Sequence, residues 1–139
     1  MNMDGDKAVV AVISEINALS LPSFIGRVFK YERKEKYSGE YIVVNHLPFV
    51  YGSVLEEGIV NVNVHVPRLS TNEPNTARLY ELWTPIKDHF LASEDYGQPD
   101  GQYLQGAYFS FYSHSRPTLD EDGTYYVNVQ LKVLFNNLK

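Results

Sequence analysis

The chain has 139 residues, 12 of them basic and 17 acidic, for a formal charge of −5. That length suits one domain with a real core, and the acidic balance excludes a protein that grips nucleic acid through a broad cationic face. Cysteine is absent, which removes disulfide frameworks, thiolate metal sites and a cysteine nucleophile.

Asp4 and Asp6 stand before the short apolar run 8–13, where a secretory signal carries positive charge. No stretch approaches the roughly 20 apolar residues of a membrane span, so a soluble chain with no membrane partner is expected. The two aspartates are candidate N-caps for a first helix over 6–20. Its apolar positions Val9, Val12, Ile13, Ile16 and Leu19 recur at steps of three and four, and Pro22 ends it. Residues 25–31 alternate and predict a first strand. Residues 32–40 (ERKEKYSGE) end in a Ser-Gly turn signal and predict a solvated hairpin loop. Arg33, Lys34 and Lys36 in that loop are the densest basic spot in the chain and its docking-loop candidates.

A continuously apolar strand over 41–47 is expected near the centre of the sheet. The stretch 59–67 (IVNVNVHVP) sets Val60, Val62, Val64 and Val66 on one face and Asn61, Asn63 and His65 on the other. This is the period of a half-buried strand, and Pro67 closes it. After a polar loop, a second helix over 75–91 carries Leu79, Trp83, Ile86 and Phe90 as its stripe. Pro85 inside the pattern either kinks it, which the in-phase stripe favours, or stands first in a restarted helix capped by Thr84. A polar loop over 92–102 leads to two long strands, 103–114 and 124–135, which the turn-rich linker 115–123 predicts to be an antiparallel hairpin. The expected fold is a single α+β domain over 1–139, in the order αβββαββ, with both helices packed on one mainly antiparallel sheet.

Motifs for chemistry are lacking. His46, His65, His89 and His114 are scattered without ligand spacing, and the sequence nominates no partners for His65. Asp120, Asp122 and Gly123 resemble part of a calcium loop but lack its series of oxygen ligands and closing glutamate, so a turn accounts for them. Glu56 and Glu57 are adjacent on an extended chain and point opposite ways. No catalytic residue, cofactor or metal is therefore expected. The 11 tyrosines are more informative. Tyr108, Tyr112 and Tyr126, with Asn128 beside them, fall on one face of the last hairpin. Phe109, Phe111, Val127 and Val129 fall on the other, so both faces have something to bury. The residues fit either plain strand preference or a protein–protein surface, for which Tyr108, Tyr112, Tyr126 and Asn128 are the subunit-interface candidates.

The αβββαββ order, the strand over 59–67, the short polar loop 70–75, the helix over 76–91 and the final YYVNVQLKV (125–133) together resemble the tail-terminator and tail-completion proteins of long-tailed bacteriophages. The resemblance spans nearly the whole chain and rests on pattern and spacing. It implies a non-enzymatic virion protein of a phage or prophage, made in the cytoplasm of the bacterial host. The subunit would form a hexameric ring at the head-proximal end of the tail tube. Its partners would be itself, the tail tube protein and a head-completion or connector protein, with DNA passing through and not tightly held. Two other classes stay open: another head–tail connector or secretion-system assembly subunit, and a small-molecule-binding domain with an aromatic pocket near Trp83.

Overall fold

The computed structural model describes residues 3–34, 37–51, 56–91 and 101–136. Its elements are α1 (Gly5–Ala18), β1 (Arg27–Lys30), β2 (Tyr41–His46), β3 (Glu56–Pro67), α2 (Thr76–Phe90), β4 (Gln102–Leu104), β5 (Ala107–His114), β6 (Thr118–Leu119) and β7 (Thr124–Phe135). The strands form one sheet in the order β1-β2-β3-β7-β5-β4, with β6 also paired to β7. The long strands β3 and β7 run antiparallel from Glu56↔Phe135 to Pro67↔Thr124.

Both helices cover the same face. Val60, Val62, Val64 and Val66 are buried there with Val127, Val129, Leu131 and Val133 of β7, against Ala8, Val9, Val12 and Ile16 of α1 and Leu79, Leu82, Ile86 and Phe90 of α2. Trp83 is 9% exposed. The register of β3 is the one its alternation predicts, since Asn61, Asn63 and His65 lie on the face away from the helices. Asp4 caps α1 by accepting from the Lys7 backbone N at 2.8 Å. Asn75 caps α2 in the same way, through the Arg78 backbone N at 3.2 Å. α2 continues through Pro85 as one element.

Three expectations about the sheet are corrected. It is mixed, because β1 pairs with β2 in parallel from Arg27↔Tyr41 to Lys30↔Val44. The intervening residues therefore do not make a hairpin. Tyr31 leaves β1 in the left-handed region, with φ 71°, and the chain returns along the strand. Tyr37 then packs on Phe29 and Tyr41, with ring centroids 5.1 and 6.0 Å apart, over the face the helices leave uncovered. The strand expected over 103–114 is two strands, β4 and β5, folded about Gln105 and Gly106. Their φ values of 50° and 81° are those of a tight hairpin turn. Lastly, the linker before β7 contributes β6.

Gly26 enters β1 where a Cβ would stand 2.1 Å from the backbone oxygen of Glu40. Only a residue without a side chain lets β1 approach β2 so closely at this end. Gly26→Ala is expected to cost about 1–3 kcal/mol, the usual range for overpacking. Equilibrium urea unfolding checks this, with Gly39→Ala as the contrasting backbone-strain case, because nothing lies within 4 Å of the Cβ there.

Candidate functional site: the uncovered face of the sheet

The face opposite the helices carries a ladder of amides across the four central strands. Asn61 Nδ2 donates to Asn45 Oδ1 at 3.0 Å. Asn128 Nδ2 donates to Asn61 Oδ1 at 3.2 Å and to Asn63 Oδ1 at 2.7 Å. Gln130 Nε2 donates to Asn61 Oδ1 at 3.1 Å, and Ser113 Oγ to Gln130 Oε1 at 3.0 Å. The register creates this pattern, since Asn45↔Asn61, Asn63↔Asn128 and Asn61↔Gln130 are directly opposed pairs. Ser113 joins because β5 carries a bulge: Phe111 faces Leu131, and Ser113 then faces Gln130, leaving Tyr112 as the additional residue. The same shift turns His114 to the helix side, where it stacks on Trp83 at 4.2 Å. Parity counting along the sequence places His114 with Tyr112 and misses this.

One end of the ladder closes in an aromatic and ionic cluster. His65 is 6% exposed and lies between Tyr41 at 4.3 Å and Tyr126 at 5.0 Å, both rings stacked on it. Thr124 Oγ1 donates to Asp122 Oδ1 at 2.6 Å. Its oxygen is thereby left to accept from His65 Nδ1 at 3.0 Å, which places the neutral imidazole proton on Nδ1. Tyr41 donates its hydroxyl proton to Asp122 Oδ2 at 2.5 Å, and Arg33 Nε stands 3.6 Å from the same oxygen. Asp120 Oδ2 lies 3.7 Å from His65 Nδ1. Burial pushes the His65 imidazole below its ordinary value, against the pull of Asp120 and Asp122, while Arg33 adds to the lowering. Burial raises the Tyr41 phenol, and its bond to Asp122 raises it further. For Asp122, burial works upward, but the hydrogen bonds from Thr124 and Tyr41 outweigh it and hold the carboxyl below its ordinary value. One donor atom from each of His65, Asp120 and Asp122 falls within 4.8 Å of the others.

The interface candidates share this face but not one patch. Tyr108 lies opposite Leu134 and packs on Tyr103 at 4.8 Å. Tyr126 is opposite His65 and committed to it. From Tyr126 to Leu134 along β7 is roughly 27 Å of strand at about 3.4 Å per residue. Tyr112 sits between them, 59% exposed. It lines a concavity of about 320 Å³ with Leu47, Pro48, Val50 and Ile59, edged by Glu57, Gln130 and Lys132. Asn128 is bound into the ladder. Of the docking-loop candidates, Arg33 turns inward. It donates to the Tyr37 carbonyl at 2.6 Å and lies 5.8 Å from the Tyr41 ring centroid. Lys34 is exposed, and Lys36 lies outside the described residues, as do residues 92–100 of the second long loop. Trp83, the centre of the pocket expected for a small-molecule binder, is packed by His114, Tyr80 and Lys87. Sequence reading missed Asp120, Asp122 and Thr124 as partners of His65. The signal lay in register: once Pro67 and Thr124 are opposed, the turn before Thr124 must lie beside His65.

No family model matches the sequence, and no curated protein matches it.

Asn61 holds three of the ladder's hydrogen bonds and is 8% exposed. Asn61→Ala is expected to cost about 1–3 kcal/mol, because it takes a partner from three amides on two neighbouring strands at once. Asn45→Ala, at the ladder's end with one such bond, is expected to cost less. Urea unfolding of both variants measures the difference.

Proposed function

We propose that the chain is a structural subunit of a bacteriophage or prophage tail, closing into a ring at the head-proximal end of the tail tube, where it stops tube growth and joins the head. The observation that carries this reading is the uncovered sheet face. Its polar side chains are already bonded to one another, and it ends in an apolar ledge where Leu47, Val50 and Tyr112 are 44%, 65% and 59% exposed. A face of internally satisfied amides beside exposed apolar groups loses little on being covered by protein.

A closed ring needs two different surfaces on each subunit. The ledge supplies one. The β4 edge supplies the other, with Tyr103 66% exposed beside Tyr108 in the last strand of the sheet among the described residues. The formal charge of −5 suits a channel through which DNA slides without tight phosphate contacts. Among the described residues no helix is long and apolar enough to cross a membrane. The head partner in this reading is a completion or connector protein, and the final location is the virion tail.

The expected mass by light scattering, alone or on added tail tubes, is near six times 15.9 kDa. Val50→Asp with Tyr112→Asp is expected to keep the monomer's circular dichroism and melting temperature while abolishing the ring and the capping of tubes. A parent chain that stays monomeric and leaves tubes uncapped would sink the reading. So would a double variant that assembles like the parent. Tyr126 is the poorer probe, since its stack on His65 couples it to folding.

A further inference from the structure

We propose that His65, Asp120, Asp122 and Thr124 form a binding site for one first-row divalent cation of the zinc or manganese class, with a structural role. The inference is independent of the assembly reading. The donors come from three separate places, β3, the β6–β7 turn and the start of β7, and the Pro67↔Thr124 pairing brings them together. They are one imidazole nitrogen, two carboxylates and a hydroxyl. Imidazole with carboxylates suits zinc, manganese, cobalt or nickel and disfavours magnesium and calcium.

The spacing fits an ion. Ligand atoms held about 2.0–2.2 Å from a common centre stand roughly 3–4 Å apart. His65 Nδ1 is 3.0 Å from Thr124 Oγ1 and 3.7 Å from Asp120 Oδ2, and the His–Asp–Asp donor set falls within 4.8 Å. The widest gap, at most 4.8 Å, must therefore close by about 1–2 Å. Asp120 can supply that movement: its side chain is 38% exposed, and Oδ2 has no hydrogen-bond donor among the described residues. Asp122 is already oriented. Tyr41 and Arg33 hold Oδ2 from behind, while Oδ1 faces Thr124. A hydrogen-bonding outer partner such as Tyr41 fixes a ligand's direction, while the Arg33 charge works against the ion.

Ligation uses the Nδ1 lone pair, so the proton now on Nδ1 leaves it and Nε2 takes one up. The imidazole stays neutral and no net proton is released. The two carboxylates balance the ion's charge, and Arg33 stays on the far oxygen of Asp122. The ion would fasten the turn that carries Asp120 and Asp122 to the ends of β3 and β7.

The test is titration of the full-length chain, treated first with chelator, with Co²⁺ followed by its visible absorption, then Zn²⁺ in competition. Melting temperature and His65 ring nitrogen shifts are recorded in parallel. The expected result is one equivalent bound with Kd well below about 1 mM, a raised melting temperature, a shift of the His65 proton to Nε2, and no response to Mg²⁺. Asp120→Asn is expected to weaken binding at least about tenfold, and His65→Gln to abolish it. His65 is buried and its variant can fail to fold, so Asp120→Asn, on an exposed turn, carries the decision. A folded Asp120→Asn chain that binds like the parent overturns the proposal. So does binding lost instead in His89→Gln, which would place the ion at the His89–Glu15 pair, or no uptake below about 1 mM.

Discussion

The ladder between β3 and β7 is the constraint on which the rest of the molecule depends. Its register runs without a break from Glu56↔Phe135 to Pro67↔Thr124, and every pair commits both faces at once. Val62 opposite Val129 and Val64 opposite Val127 give the helices a floor. Asn63 opposite Asn128 and Asn61 opposite Gln130 build the amide ladder on the other side. A slip by one residue would turn the valines outward and drive three polar side chains of β3 under the helices. An amide buried without a partner costs about 1–3 kcal/mol on mutational scales, so the alternative register is penalised several times over. One pair of strands therefore decides both where the core lies and what the uncovered face presents.

That face is unlike an ordinary wet side of a sheet. Asparagine and glutamine carry both donors and acceptors, and the cross-strand spacing lets neighbours use them on each other. The Asn61 oxygen accepts twice and its nitrogen donates once. Bonds made within the ladder need not be taken from water when another surface arrives, so covering the face forfeits less hydration than covering lysines or carboxylates would. Charged side chains are placed at its margins instead. Lys132 is paired with Glu57 at 3.5 Å, and Arg33 stands beside Asp122. The distribution of charge, polarity and apolar ledge is what the proposed protein contact on this face requires.

Much of this was legible in the sequence, and what was not has physical causes. The valine alternation of 60–66 and the stripe Leu79, Trp83, Ile86, Phe90 fixed which faces turn inward, because burial repeats with the period of the element. The parallel pairing of β1 with β2 was hidden. It depends on Tyr31 adopting φ 71°, which a tyrosine does not advertise, and on Tyr37 finding Phe29 and Tyr41 across the sheet. The expected strand over 103–114 ran through Gly106, because Gln105 at φ 50° beside it is not the asparagine or aspartate that marks such turns. The bulge at Tyr112 inverted the expected side of His114. The cluster around His65 was out of reach because its members are brought together by register across β3 and β7, not by spacing along the chain.

The two sheet edges are treated differently, and in the proposed assembly the difference would give association a direction. β1 is a four-residue edge with charge at both ends, Arg27 and Lys30. Lys30 is tied to Asp6 of α1 at 2.7 Å. Short strands carrying basic residues are how sheets discourage pairing with another chain. β4 is shorter still, but it bears no charge, and its central Tyr103 is 66% exposed and rests on Tyr108. A second copy meeting the β1 edge must displace an ion pair, whereas one meeting the β4 edge covers aromatic surface. Two copies facing each other through β4 would use the same edge twice and close as a dimer. A chain of copies that continues to a ring must join the β4 edge of one to a different surface of the next. The ledge of Leu47, Val50 and Tyr112 is such a surface: it lies on the uncovered face, carries no net charge beyond the Lys132–Glu57 pair at its rim, and leaves β1 free of contact.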